Sequence, residues 1–362
     1  MTRGVCRENL NSQSRFRPLP SYNAIGTEGI DMLEHLTTTQ RDALTAFKRH
    51  TIMFPLFNNA YGDIKTAFTL SRETGIVQNY LVLGQSGCGK STLCKMICSE
   101  QPRFEEPERT VVPVLYVRVP PLATVSSLAE ALLVKIGDPV PYKGNHNEKT
   151  GRLIQLIKKC GVQMIIIDEL QHVHDRGQYP TIAKVADWIK NLEEAVSIPF
   201  IMAGLPRAEI LLDANDQLRR RFSAALSLDR MVIDEDDVQA AAFVGVVAEL
   251  LSAMRIRSKI DINDISAIER IYYATDGRIG YLVSLLLRAM IVTYSTDRSA
   301  IDLEVLGQAF TSVIWRNGVD ALNPFSPKFS ARRLSKKGEP FAEVFHTVRR
   351  LRSSHRSEEA VL

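Results

Sequence analysis

The chain has 362 residues, a formal net charge of +4 and 45% hydrophobic residues. That much apolar side chain excludes a mainly disordered polypeptide, and so small a charge surplus gives by itself no argument for nucleic acid. The longest apolar candidate, Tyr281 to Tyr294, is shorter than the ~20 residues that cross a bilayer and contains Arg288, so a soluble, cytoplasmic protein with no membrane partner is expected.

In chain order, residues 1–36 are polar, carry scattered arginines and show no sustained period, which predicts an N-terminal arm. Thr37 to Lys48 opens on a threonine-rich cap and continues with helical spacing; His50 to Phe57 is apolar around Pro55; Asp63 to Thr74 predicts a second helix closed by Gly75. Tyr80-Leu81-Val82-Leu83 then predicts a short buried strand entering Gly84-Gln85-Ser86-Gly87-Cys88-Gly89-Lys90-Ser91, and Thr92 to Ser99 predicts a helix leaving it. This octapeptide matches G-x-x-x-x-G-K-[ST] at every fixed position and has the strand and helix that the pattern needs. Glycines let backbone N–H groups turn inward, and the helix adds its positive end, so the loop suits a nucleoside triphosphate. Lys90 is placed to reach the β- and γ-phosphates, the Ser91 hydroxyl to ligate Mg²⁺, and Thr92 to donate to the α-phosphate.

Beyond the loop, Val111 to Val119 predicts a strand ended by Pro120-Pro121, Thr124 to Ile136 a helix closed by Gly137, and Asp138 to Lys149 a polar loop. A helix over 149–160 precedes the run Met164-Ile165-Ile166-Ile167, which predicts a central strand buried on both faces and ending in Asp168-Glu169. In P-loop enzymes the first acid of such a pair holds the Mg²⁺ through its water shell and the second polarises the attacking water, roles that fall to Asp168 and Glu169. A helix over 180–195 and a strand from Ile198 to Ala203 follow, and the alternation predicts an α/β, doubly wound parallel sheet. From about Val232 to Trp315 the periodicity is helical only, predicting a small helical domain packed beside the nucleotide. The expected organisation is therefore an arm over 1–36, a nucleotide-binding domain over 37–232, a helical lid over 233–323 and a basic tail over 324–362. Five cysteines, Cys6, Cys88, Cys94, Cys98 and Cys160, lack C-x-x-C spacing and are expected to be free thiols, and the run from His172 to Asp175 reads as loop residues near the γ-phosphate rather than as a metal cluster.

This order of elements resembles the AAA+ class. Within it, Ile165-Ile166-Ile167-Asp168-Glu169-Leu170, Ile198-Pro199-Phe200 with Ala203-Gly204, Asp216-Gln217-Leu218 leading to Arg221-Phe222, and Asp276-Gly277-Arg278-Ile279-Gly280 resemble the TniB/TnsC family over roughly residues 40 to 315. The resemblance implies a P-loop AAA+ fold with a C-terminal helical lid, ATP and Mg²⁺ as cofactors, and an ATPase that assembles on double-stranded target DNA as a homo-oligomeric filament or ring. It also implies recruitment or activation of a transposase, a target-selection protein or complex as partner, and disassembly on hydrolysis. Arg221 matches the family's arginine before phenylalanine and is the candidate finger reaching a neighbouring copy's γ-phosphate, with Arg219 and Arg220 beside it. Two features depart from many AAA+ proteins. Ala203, Gly204 and Leu205 stand where a polar sensor ends the fourth strand, and the lid sensor arginine would align near Gly280, leaving Arg278 as the nearest candidate, so slow or partner-dependent hydrolysis is expected.

The segment from Pro324 to Leu362 holds nine Lys/Arg (Lys328, Arg332, Arg333, Lys336, Lys337, Arg349, Arg350, Arg352 and Arg356) against four Glu. It reads equally as a phosphate-contacting tail, a partner-docking tail or a solubilising one. By analogy, the segment from Thr124 to Ser127 and the loop with Lys143, His146 and Lys149 are candidate DNA contacts. Two other functions fit the sequence: a remodelling ATPase of the secretion or helicase-loader type, and a nucleotide-gated scaffold that hydrolyses ATP slowly.

Overall fold

Runs of consecutive apolar residues become strands here because a core lies on each side of the sheet. In the computed structural model, which describes residues 36–342 apart from 122, 176–178, 223 and 234–236, the strand β5 (Met164–Asp168) is buried at every position, as is β6 (Phe200–Gly204). Met164, Ile166, Ile201 and Ala203 point into one hydrophobic cluster, whereas Ile165, Ile167, Phe200 and Met202 point into the other. The alternation of side chains along a strand thus satisfies two cores at once.

The sheet has five strands in the order β4-β5-β6-β1-β7, with β1 Tyr80–Leu83, β4 Val114–Arg118 and β7 Ala224–Ser227, all parallel. One face carries the helices Val125–Ile136, His146–Lys159 and Tyr179–Val196. The other carries Pro55–Thr74 and Lys90–Glu100 and continues into the helical region Asp237–Ala253, Ile265–Thr275, Ile279–Ser295 and Leu303–Val313. Caps set several of these starts. Thr37 and Thr124 each form a reciprocal capping box with Gln40 and Ser127, Asn145 does so with Glu148, and Pro55 occupies the first turn of its helix.

The structure departs from the expected elements at several places: the helix expected from Asp63 starts at Pro55, and the one expected from 149 starts at His146, inside the expected loop. The strand expected over 111–119 is two: β3 (Arg109–Val111) pairs antiparallel with β2 (Phe104–Glu106), and β4 starts after Pro113. Proline has no N–H to donate, and at this corner its carbonyl accepts from Gln163 and Met164. The strand β7 was not expected at all. Its residues, Ala-Ala-Leu-Ser, are small and mostly exposed, so no apolar pattern announces an edge strand that hydrogen bonding to β1 alone defines. His172–Asp175 is a helical turn rather than a loop, and the His172 Nδ1 lies 2.9 Å from the Val119 carbonyl oxygen.

A further difference concerns the basic segment. Residues 324–342 are folded against the helical region: Phe325 packs on Phe310, and Leu334 and Phe341 are fully buried. Arg332 pairs with Glu339 and Arg333 with Asp276, so these cations are neutralised within the fold. Arg349, Arg350, Arg352 and Arg356, and the arm over 1–35 with Cys6, lie outside the described residues.

Candidate nucleotide site

Gly84 follows β1 where the chain passes so close to Leu228 that a Cβ would sit 1.9 Å from the Leu228 oxygen. The loop then turns through Gly87 (φ +83°) and Gly89 (φ +99°), conformations that only glycine adopts without strain, into the helix Lys90–Glu100. The first turn of this helix has no side-chain cap, so its backbone N–H groups face the loop's concavity. Lys90 is largely buried and donates to the carbonyls of Gly84 (2.7 Å) and Gln85 (2.9 Å). Burial pushes its ammonium below the usual lysine range, partly opposed by the Glu169 and Asp168 carboxylates.

A cavity of about 340 Å³ is lined by Ser86, Gly87, Gly89, Lys90, Ser91 and Thr92 from this loop, and by Glu169 and Gln171 from the end of β5. Also lining it are His50, Thr51, Ile52 and Phe54 from the stretch ahead of the helix Pro55–Thr74, Phe57 from that helix, and Ile279 and Gly280 from the helical region. Apolar side chains of Ile52, Phe54, Phe57 and Ile279 beside a cationic, amide-lined loop have the chemistry of a site for a base and its phosphates. The residues present therefore fit a nucleoside triphosphate with its Mg²⁺.

Asp168 is buried at the tip of β5, its Oδ1 accepting from the Glu169 amide (2.9 Å) and its Oδ2 from the Tyr116 hydroxyl (2.9 Å). Burial first, and the adjoining carboxylate second to Arg118's opposing hydrogen bond, pushes the Tyr116 phenol up to about 12, so it remains a donor at neutral pH. Arg118, the register partner of Asp168 on β4, donates to the same hydroxyl (3.0 Å). Glu169 takes a left-handed backbone conformation (φ +62°) that is costly for a non-glycine residue and that redirects the chain at the strand end. Its carboxylate accepts from the Gln171 side-chain amide, and Gln171 in turn accepts from the Leu205 N–H (3.1 Å).

Gln171 and Tyr116 escape a reading of the sequence. Strand β6 supplies no polar side chain at its tip, but Gln171, folded back from the neighbouring strand's end, occupies that place and ties it to Glu169. Tyr116 has one legible signal: it sits two residues before the end of a strand adjacent to β5, on the face that carries Ile166.

Arg278 reaches the loop from the helical region. Its Nη1 lies 3.5 Å from the Ser86 carbonyl, and the next turn places the Gly280 N–H 2.7 Å from the Gly87 carbonyl. A Cβ on Gly280 would meet the Gly87 backbone at 2.9 Å, so no arginine fits at that position and Arg278 is the one that approaches. Arg221 is elsewhere. It ends the helix Asp216–Arg221 just ahead of β7, whose first residue pairs with the first residue of β1, whereas the phosphate loop follows the last. There Arg221 contacts Glu193 and lies 3.4 Å from Glu194. Among the candidate DNA contacts, Lys149 is buried against Glu130 (2.6 Å) and Thr124 and Ser127 cap a helix, while Lys143 and His146 are exposed. No group of metal-ligating His, Cys, Asp and Glu occurs among the described residues, and Cys88, Cys94, Cys98 and Cys160 are free thiols.

A family model described as "Bacterial TniB protein" matches residues 47–230, about half of the chain. The chain belongs to the TniB family. No curated protein matches it in sequence. Among solved structures, this TniB-family chain is similar to the ORC2 protein of Aeropyrum pernix in its ADPNP-ADP complexes, with TM-score 0.54, 12% identity, and coverage of 74% of this chain and 70% of that one. It is also similar to CDC6P from Pyrobaculum aerophilum, with TM-score 0.55, 12% identity and coverage of 74% and 70%. The ORC1 protein of Aeropyrum pernix, solved in complex with DNA, matches with TM-score 0.52, 13% identity and coverage of 72% and 66%. At these identities the likeness establishes the fold alone: this TniB-family chain has a P-loop AAA+ fold. Among the described residues no single helix is long and apolar enough to cross a membrane.

Proposed function

We propose that the protein is an ATP-dependent, DNA-binding regulator of transposition that assembles on target duplex, recruits or activates a transposase, and leaves the DNA after hydrolysis. Membership of the TniB family supports this reading, together with a phosphate loop and an Asp168-Glu169 pair of the composition that hydrolysis requires. The observation that carries it furthest is the position of Arg221. This arginine stands at the end of β1 and β7 opposite to the phosphate loop, so it can serve a nucleotide only in another copy of the chain. Hydrolysis and assembly are then one property.

In this reading Gly84, Gln85, Ser86, Gly87, Cys88 and Gly89 form the cradle whose backbone amides hold the phosphates. Lys90 neutralises the outer phosphates, Thr92 donates to the innermost, and Ser91 and Asp168 hold the metal and its waters. ATP·Mg²⁺, when bound, supplies the phosphoryl group and a cation that spreads its charge. Glu169 orients and accepts a proton from the attacking water, its carboxylate aimed by Gln171. Arg278 approaches from the helical lid over about 233–323. Duplex DNA is the partner for the exposed Lys143 and His146, and the DNA complex solved for ORC1 of Aeropyrum pernix is a parallel on the same fold. Cytoplasmic location follows from a partner of this kind.

Electron microscopy of the purified protein with duplex DNA tests the proposal, comparing a non-hydrolysable ATP analogue, ADP and no nucleotide, with Lys90→Ala as control. Oligomers that coat the duplex only with the analogue, and not with the variant, are expected. Closed rings indifferent to DNA would instead identify a remodelling ATPase.

A further inference from the structure

Asp276 is a buried carboxylate in a left-handed backbone position (φ +53°) at the end of helix Ile265–Thr275. Three arginines converge on it. Arg278 contacts its Oδ2 through Nη2 (3.0 Å) and Nε (3.1 Å), Arg333 grips both oxygens (Nε to Oδ1 2.6 Å, Nη2 to Oδ2 2.9 Å), and Arg230 stands 3.9 Å away. Removing a carboxylate from water is costly unless cations are held against it.

The guanidinium of Arg278 is fixed on its other sides too. It lies over the rings of Tyr281 (5.8 Å) and Phe341 (5.5 Å), which meet edge to face at 5.3 Å. Its remaining edge is turned to the phosphate loop at Ser86. Arg333 and Phe341 arrive together because one short segment is folded to bring them there. Phe341 donates its N–H to Leu334 (3.0 Å), and Arg332 and the Lys336 amide clamp Glu339 across the turn.

We infer that Arg333 and Phe341 are positioning residues of the nucleotide site, acting through Asp276 and the Arg278 side chain to set how strongly the protein distinguishes ATP from ADP. Arg333 satisfies Asp276 in a two-point geometry, so that Arg278 is free to give part of its charge to a bound phosphate without stranding a buried anion. With Arg333 removed, Arg278 becomes the principal counter-charge of Asp276 and is withheld from the phosphates. The nucleotide with the larger negative charge loses most. Phe341, packed against the guanidinium, holds it beside the loop. This inference rests on the nucleotide reading of the loop and is independent of DNA and transposase.

The test is fluorescence titration of the full chain with ATP and ADP analogues, without DNA, for wild type, Arg333→Gln, Arg333→Lys, Phe341→Leu, Arg278→Gln, the double variant Arg278→Gln/Arg333→Gln and the control Lys90→Ala, with thermal melting of each. Arg333→Gln is expected to lower ATP affinity about 10-fold and ADP affinity about 2-fold or less. Arg333→Lys, which keeps the charge without the planar fork, should recover part of the loss, and Phe341→Leu should move the ratio the same way as Arg333→Gln. In the Arg278→Gln background the Arg333 substitution should no longer change the ATP:ADP ratio, because it acts through a side chain already gone. A lower melting temperature with an unchanged ATP:ADP ratio, or full additivity of the two arginine substitutions, would overturn the inference. Equal nucleotide affinity of wild type and Lys90→Ala would instead remove the nucleotide reading beneath it.

Discussion

Lys90 and Gln171 each tie two groups of the site together. A base whose folded pKa is lowered by burial carries a cost that is fully present below that pKa and is relieved as pH rises through it toward the unfolded value. Without nucleotide, the Lys90 contribution therefore makes the protein more stable on the alkaline side, in the same window in which the ammonium is lost to the phosphates. Lys90→Met should then melt no lower than wild type, and by a gain of about 1 kcal/mol up to ~3 °C higher, while its melting point stops responding to ATP. A melting point well below wild type would mean that the bonds from Lys90 to Gly84 and Gln85 outweigh its burial. Gln171 acts on direction rather than charge. It is tied to both Glu169 and the Leu205 amide, so Gln171→Ala should leave nucleotide affinity near wild type and lower kcat by ~10- to 100-fold through a misaimed base. A steady-state comparison of kcat and KM checks this, and a change confined to KM would place Gln171 in binding instead.

The helix Asp216–Arg221 has a partner at home. Arg221 is held by Glu193, itself buried and accepting from the Asn79 side chain (3.0 Å), which also accepts from the Phe200 N–H (2.8 Å). If this arginine serves a neighbouring copy, Arg221→Ala should bind ATP normally and lose about 10³-fold of its assembled hydrolysis rate. Mixing it with Glu169→Gln should restore activity, roughly a quarter of sites under random assortment, since base and finger then come from different chains. An inactive mixture would confine Arg221 to structure. Elements of this kind mark the boundary of what the sequence discloses. The loop at Gly84 and the strand at Met164 were legible because their signals are local, a fixed spacing in one case and an unbroken apolar run in the other. The exposed β7 and the hairpin before Pro113 were not, since they depend on backbone pairing without an apolar pattern. Nor was the tie of Asp276 to Arg333, 57 residues apart, or the burial of Leu334 and Phe341 in a stretch whose basic composition left phosphate-contacting, partner-docking and solubilising tails equally open.

At the scale of the molecule, one hydrophobic cluster runs from the sheet into the helical region, joining Val82, Ile166 and Ile201 to Leu282, Leu285 and Phe310. Gly280 closes the seam above it by setting the helix Ile279–Ser295 directly on the phosphate loop. A continuous core makes partial unfolding of the helical region expensive, because it would strip apolar surface from the back of β1 and β5 as well. The full chain should therefore melt in a single calorimetric transition, and ATP should raise that whole transition by the mass-action term for binding to the folded state alone. Gly280→Ala separates the two demands. Its Cβ would enter the Gly87 backbone at 2.9 to 3.0 Å, and neither partner can yield as a flexible side chain would, so the helix must lift from the loop at a cost of about 1–3 kcal/mol. The expected outcome is a lower melting point, still with one transition, and at least ~10-fold weaker ATP binding, since the lift carries Arg278 away from Ser86. Two transitions in the wild-type protein, only one of them shifted by ATP, would show that the sheet and the helical region fold as separate units and that the contact at Gly280 is not what couples them.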